Sequence, residues 1–229
     1  MEKKFVFEND YEKILRNEAE LFLDNRKGKV LNIACEFNLM PEFLKGLVDP
    51  QDVFGAEINE EVVKANPQIR FCNVDRDPLP FADAELDLVL SIWGIEHFET
   101  ENFFKESRRV LKPRGRIIIL TPNIVNPLFF FNKFSKGFAA RFYFKYLTDS
   151  QYQAHKTHYR FNTAGTIGRT GKRNGLNPKR VIYFGPSFFT KYFEFNRLLE
   201  KMVVGIDKAI TNPCLGYFKP YIICVLEKE

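Results

Sequence analysis

Three histidines, His97, His155 and His158, are the side chains of this 229-residue chain whose ordinary pKa lies closest to neutral, which makes them its candidates for taking a proton from a substrate. His97 follows Glu96 just beyond an apolar run, Leu86 to Ile92, where a buried strand is expected to end. Glu96 is either a catalytic partner of His97 or an acceptor for nearby backbone; His97 is either a base or a structural group bonded to a loop carbonyl. His155 and His158 are three apart, a spacing that suits one helical face, but no third ligand stands nearby and no metal is expected. Two carboxylates complete the set. Glu57 closes one apolar run and Asp75 precedes Leu79-Pro80-Phe81, and one contact from each successive strand end is what a nucleoside ligand lying across a parallel sheet needs.

The elements that must hold these residues alternate. Residues 5 to 24, within an N-terminal entry spanning 1–28, are predicted as a helix, with Tyr11, Ile14, Leu15, Leu21 and Phe22 along one stripe. A strand over 29–34 and a helix over Pro41 to Leu47 open the first βα unit. Strands over Val53 to Glu57 and Ile69 to Asn73 flank a helix over Asn59 to Asn66 with Asn59 as its cap. A fourth strand over Leu86 to Ile92, a helix over Glu101 to Leu111, the turn Pro113-Arg114-Gly115 and a fifth strand over Arg116 to Thr121 follow.

The alternation then breaks. Residues 123–160 are unusually rich in Phe and Tyr and too long for a plain connection. Within them Phe130, Phe134, Phe138 and Phe142 recur every four residues, with Lys133, Lys136, Arg141 and Lys145 between, so an amphipathic helix is predicted. It is a cap over a binding site, an interfacial contact with a membrane surface, or plain core. A short helix over 162–174, capped by Asn162 or Thr163, a strand over Arg180 to Phe184, a helix over Phe188 to Ile210 and a closing strand over Tyr217 to Leu226 finish the chain. Seven strands alternating with helices predict one α/β domain over 1–229: a doubly wound, mostly parallel sheet with helices on both faces and an aromatic helical insertion after strand five.

Composition narrows the partners. Cys35, Cys72, Cys214 and Cys224 are widely separated, form no CxxC pair, and are expected as reduced thiols. The N-terminus runs into charged residues, so neither a secretory leader nor a transmembrane segment is expected, and the cytoplasm is the default location. Residues 1–120 carry 17 Lys+Arg against 23 Asp+Glu, a net −6, whereas residues 121–229 carry 17 against 6, a net +11. A basic second half points to an anionic partner or to a solvated basic face. The positive charge is scattered and no RNA-binding module accompanies it, so nucleic acid is not expected; nothing indicates the oligomeric state.

Residues 30–121 resemble a class I S-adenosylmethionine-dependent methyltransferase of the small-molecule type. In that family the first strand and turn read Val-Leu-Asp-Ile-Gly-Cys-Gly-x-Gly, with which Val30-Leu31-Asn32-Ile33-Ala34-Cys35-Glu36-Phe37-Asn38 aligns without a gap. Phe54 to Asn59 matches the strand whose acidic residue meets the ribose hydroxyls, which the resemblance assigns to Glu57. Asp75 inherits the contact with the adenine amino group. Leu86 to Phe98 is similar to the strand and loop bordering cofactor and acceptor, and His158 to Thr163 to a His-x-x-Phe/Tyr-Thr segment further on. The resemblance therefore implies S-adenosylmethionine as cofactor, with Asn32, Ala34, Cys35, Glu36, Glu57, Ile58, Asp75, Ser91, Ile92 and Trp93 around it and His97, Glu96 and His158 as catalytic candidates.

The expected activity is in-line transfer of a methyl group to a small or carrier-linked, anionic acceptor. The departures lie in the first turn. Ala34, Glu36 and Asn38 stand where the family has glycine, and Asn32 where it has Asp. Glu36 either attracts the cofactor's cationic groups, turns to solvent, or fills the pocket, and the last case leaves a non-catalytic scaffold as the rival reading. Phe37 and Trp93 offer ring faces to the cofactor or pack in the core. A nicotinamide-dependent dehydrogenase would need a G-x-G-x-x-G turn, which is absent.

Overall fold

A computed structural model describes residues 1–6, 10–23, 28–134, 157–185, 201 and 215–229. His155, Cys214, Phe138, Phe142, Lys136, Arg141, Lys145 and, apart from Lys201, the helix predicted over Phe188 to Ile210 lie outside the described residues. Among the described residues eight strands make one sheet: β1 (Glu2–Phe5), β2 (Val30–Ile33), β3 (Val53–Glu57), β4 (Ile69–Phe71), β5 (Leu86–Ile92), β6 (Leu111–Pro122), β7 (Leu176–Phe184) and β8 (Tyr221–Lys228). Their order is β1-β7-β8-β6-β5-β2-β3-β4, and β8 alone runs antiparallel to its neighbours.

Two apolar clusters meet at the central strands, one on each face of the sheet. Leu31, Ile33, Leu86, Val89, Ile117 and Ile119 face one apolar cluster, and Val30, Leu88, Leu90, Ile118 and Leu120 face the other. A strand covered on both sides alternates between two buried faces, and therefore reads as an unbroken apolar run. The first face is covered by α3 (Asn102–Val110) and α5 (Ala164–Arg173), through Phe103, Phe104, Val110 and Ile167. The second is covered by α1 (Tyr11–Leu23) and α2 (Glu60–Ala65), through Ile14, Leu15, Phe22 and Val62. α4 (Pro127–Phe134) follows β6, with the rings of Phe130 and Phe134 exposed and 4.5 Å apart.

Two expectations are corrected. A strand precedes the predicted N-terminal helix, which itself runs over Tyr11–Leu23, and this raises the strand count among the described residues from seven to eight: Glu2 to Phe5 pairs in parallel with Arg180 to Tyr183. Phe5 stacks on Tyr183 at 5.2 Å and meets Tyr217 edge-on at 5.1 Å, and Arg180 binds Glu2 at 2.8 Å. These contacts join residues 178 to 212 apart, so local periodicity does not carry them. The helix predicted over Pro41 to Leu47 is a single 3-10 turn, Glu42–Leu44. Its backbone groups are taken by α1 instead: Phe43 N–H donates to Glu12 Oε2 at 2.9 Å and Arg16 donates to the Lys45 carbonyl at 3.1 Å. Gly46, at φ +78°, turns the chain away.

The Leu79-Pro80-Phe81 turn is fixed by α3. Arg109 donates to the carbonyls of Leu79 and Phe81, both at 2.8 Å, and to the Glu106 carboxylate at 2.7 Å; Glu106 in turn accepts the Leu79 N–H at 2.9 Å. That clamp fixes the later part of the loop after β4 in which Asp75 lies.

Candidate active site

The carboxyl ends of β2, β3, β5 and β6 bring most of the candidates to one edge of the sheet. The turn after β2 begins with Ala34, whose N–H donates to the Ala56 carbonyl at 2.9 Å. Ala34 and Glu36 have φ of +55° and +46°, so the left-handed backbone expected of glycine survives at two of the three glycine positions without glycine. That conformation disfavours an L side chain by about 1–2 kcal/mol per residue. Glu57 helps offset it, since its Oε2 accepts the Glu36 N–H at 3.1 Å. Asn32 contributes from below, its amide donating to the carbonyls of Asn38 at 3.1 Å and Leu39 at 3.4 Å. An aspartate could not donate there, so the asparagine and this shape of the turn go together.

The side chain of Glu36 is exposed and does not fill the turn. Phe37 is 73% exposed. Cys35 instead packs into the cluster beneath α1, where burial, with the Glu57 carboxylate second, pushes its thiol up to about 12.

Glu57 is 7% exposed, and its Oε1 also accepts the N–H groups of Ile58 at 2.7 Å and Asn59 at 3.2 Å. Ile58 itself is exposed. Asp75 is half-buried; its Oδ1 accepts the N–H groups of Glu99 at 2.9 Å and Thr100 at 2.8 Å, which ties the loop after β4 to the loop after β5. Among the described residues Asp75 Oδ2 makes no hydrogen bond.

At the end of β5, Ser91 is fully buried and its hydroxyl has no partner among the described residues. Gly94 follows closely: a Cβ there would come 2.9 Å from the Ala34 Cβ and 3.1 Å from Ser91 Oγ, so only glycine lets the two strand ends close on each other. Ile92 and Trp93 pack against the cluster under α1, and Trp93 meets Tyr221 edge-on at 5.0 Å and Tyr11 at 5.9 Å. Core packing is thus the observed role of the Trp93 ring.

His97 is half-buried in the 3-10 turn Ile95–His97. Glu96 is 5% exposed, accepts the hydroxyl of Thr121 at 3.0 Å, and is pushed up to about 7 by burial. Its carbonyl accepts the N–H groups of His158 at 2.8 Å and Tyr159 at 3.2 Å, which brings the third catalytic candidate to the same corner. His158 Nε2 lies 2.8 Å from Glu99 Oε1. Thr121, Asn162 and Glu99 were missed as site residues by sequence reasoning. Asn162 donates to Thr121 Oγ1 at 2.6 Å and, like Thr121, is fully buried. The signal for Thr121 was its position at the end of β6, beside the end of β5 in a parallel pair.

Two depressions, of about 300 and 350 Å³, lie at the other end of the parallel strands and contain none of these residues. The first is lined by Asp83, Lys105, Glu106, Arg108, Arg109 and Lys228 among others, and the second by paired charges such as Arg180 with Glu2 and Arg116 with Glu227. Among the described residues no group of three or more His, Cys, Asp or Glu is placed to hold a metal, and no helix is long and apolar enough to cross a membrane.

An open α/β sheet with its last strand reversed, and acidic residues after the strands beside its switch point, defines a Rossmann-like nucleoside-binding fold. Residues 31–119 match the family described as "Methyltransferase domain", and so resemble the class I S-adenosylmethionine-dependent methyltransferases. It is 28% identical over 107 residues to the ubiquinone/menaquinone biosynthesis C-methyltransferase UbiE of Azotobacter vinelandii, covering 42% of each chain. It is 28% identical over 107 residues to the demethylmenaquinone methyltransferase of Thermotoga maritima, covering 44% of this chain and 47% of that one. The match therefore spans less than half the length of these curated relatives. In fold it is similar to an S-adenosylmethionine-dependent methyltransferase of Archaeoglobus fulgidus, with TM-score 0.57, 16% identity, and coverage of 95% of this chain and 94% of that one. It is likewise similar to the YcgJ protein of Bacillus subtilis, with TM-score 0.55, 17% identity, and coverage of 93% and 98%.

The cofactor of this class is S-adenosylmethionine. It presents hydrogen-bond donors, a ribose diol and an adenine amino group, and the residues present fit them. Glu57 Oε2 accepts a single hydrogen bond and Asp75 Oδ2 none among the described residues, so each carboxylate retains acceptor capacity, and Glu36 does not fill the turn.

Proposed function

We propose that the chain transfers a methyl group from S-adenosylmethionine to a small or carrier-linked acceptor of anionic character. The observation that carries this reading is the first turn: it keeps the left-handed backbone at Ala34 and Glu36 and closes onto Glu57 although its glycines are gone. A scaffold that had abandoned the ligand would have no need to keep two strained residues there. The names of the two curated relatives support a small-molecule acceptor, and the net +11 of residues 121–229 supports an anionic one.

When bound, the cofactor supplies an electrophilic methyl on a sulfonium; the chain supplies orientation and a proton acceptor. Glu57 and Asp75 would hold the ribose and adenine ends, with Asn32, Ala34 and Ser91 shaping the floor between them. His158 is the better supported base. Its Nε2 lies 2.8 Å from Glu99 Oε1, and a proton held on that side leaves Nδ1 to take one from an oxygen or nitrogen acceptor. His97, on the neighbouring turn, is the second candidate. The reading includes a cytoplasmic protein.

The test is to incubate the full chain with S-adenosylmethionine and an anionic metabolite fraction, following S-adenosylhomocysteine and any product heavier by one methylene. Product formation that falls at least tenfold in His158→Gln is expected. Absence of S-adenosylhomocysteine with every fraction, from protein that binds the cofactor, would remove the acceptor part of the reading.

A further inference from the structure

Glu96 reaches the strap of residues 157–163 by two independent routes. Its carbonyl accepts the N–H groups of His158 and Tyr159. Its carboxyl accepts the hydroxyl of Thr121, which can donate there because it is itself the acceptor for Asn162. Asn162 also donates to the Pro122 carbonyl at 3.2 Å, and its own carbonyl accepts the Ile124 N–H at 3.0 Å. The relay thus runs one way, from the Asn162 amide to the Thr121 hydroxyl to Glu96. All three residues are nine-tenths buried or more, so water does not replace a lost bond. Between the two anchor points Tyr159 is held at φ +50°, a conformation that a side chain adopts only where its surroundings impose it.

We propose that Glu96 is the positioning residue of this site: from the end of β5 it fixes the strap 157–163 at both ends, and the strap presents the His158–Glu99 pair. Glu96 then acts through His158 and is not itself the base. Its link to turnover rests on the reading of His158 given above; the clamp itself does not.

Amide hydrogen exchange on the full chain tests it without any acceptor. In Glu96→Ala the amides of His158, Tyr159 and Ile124 are expected to exchange at least tenfold faster, while those of Ile118 and Ile119 in β6 change less than threefold. Glu96→Gln retains an acceptor for Thr121 and is expected to restore protection to within threefold of wild type, a rescue that mere filling of space would not produce. Should Glu96→Ala not fold, Thr121→Val and Asn162→Ala cut the same relay and are expected to give the same three-amide signature. Unchanged exchange at these amides, acceleration spread evenly over β6, or a Gln variant as open as the Ala variant would overturn the proposal. Cofactor binding, measured separately, distinguishes the two readings: a protected strap in a chain that ignores S-adenosylmethionine leaves the clamp standing and removes the proposed function.

Discussion

Replacing Glu96 by Gln should change how stability depends on pH, and the size of the change follows from the burial of one carboxyl. Glu96 is 5% exposed, has a single side-chain partner in Thr121, and in the folded chain is pushed up to about 7 from 4.5. Between those two values the unfolded chain has released the proton and the folded chain keeps it. The native state then binds more protons, so stability falls as pH rises through this window and levels off above about 7. At about 1.4 kcal/mol for each pKa unit, the full loss from this group is roughly 3 kcal/mol. Gln has the shape of the neutral carboxyl and no proton to release. The variant should match wild type near pH 4.5 and gain on it steadily, reaching roughly 3 kcal/mol by pH 8, less whatever its amide loses in hydrogen bonding. Urea unfolding followed by the single Trp93, packed between Tyr11 and Tyr221, gives both stabilities at each pH. Subtracting one curve from the other isolates position 96. A difference that stays within about 0.5 kcal/mol across the range, or that falls with pH, would refute the reasoning.

Three further expectations concern the cofactor end. Ala34→Gly and Glu36→Gly should each stabilise the chain by about 0.5–1 kcal/mol, because relief of left-handed strain exceeds the extra entropy of an unfolded glycine; denaturant midpoints check this. Glu36→Gly should shift the dissociation constant for S-adenosylmethionine by less than threefold, since the side chain is exposed and does not fill the turn, and calorimetry reads it. Asp75→Asn should keep the Glu99 and Thr100 N–H bonds and the fold yet weaken cofactor binding at least tenfold, whereas Asp75→Ala should also lose about 1–2 kcal/mol of stability.

Much of the frame was legible because it is locally encoded. The runs Val53 to Glu57 and Leu86 to Ile92 are strands with the expected bounds, Asn59 caps α2 by accepting the Glu61 N–H, and Thr163 caps α5 in a reciprocal bond with Thr166. What failed depends on distant partners. β1 exists because β7 offers an edge and Phe5 finds Tyr183 and Tyr217, and the helix expected from Pro41 yields to Glu12 and Arg16, which claim its backbone. In the site, motif order led to Glu57, Asp75 and the Glu96-His97 pair. It gave no hint that Asn32 must donate rather than accept, that the Trp93 ring packs between two tyrosines, or that Thr121 and Asn162 complete a buried relay. Each of these is a matter of which polar group loses water on folding, and a linear pattern does not carry that.

The central claim, that a turn without glycine still accepts the cofactor of the family that residues 31–119 match, is tested most directly by titrating the purified, folded chain with S-adenosylmethionine and S-adenosylhomocysteine in a calorimeter. A saturable isotherm with a dissociation constant below about 1 mM, corresponding to roughly −4 kcal/mol or better, and abolished in Glu57→Ala, is expected. No heat at millimolar ligand from a chain that unfolds cooperatively would contradict it.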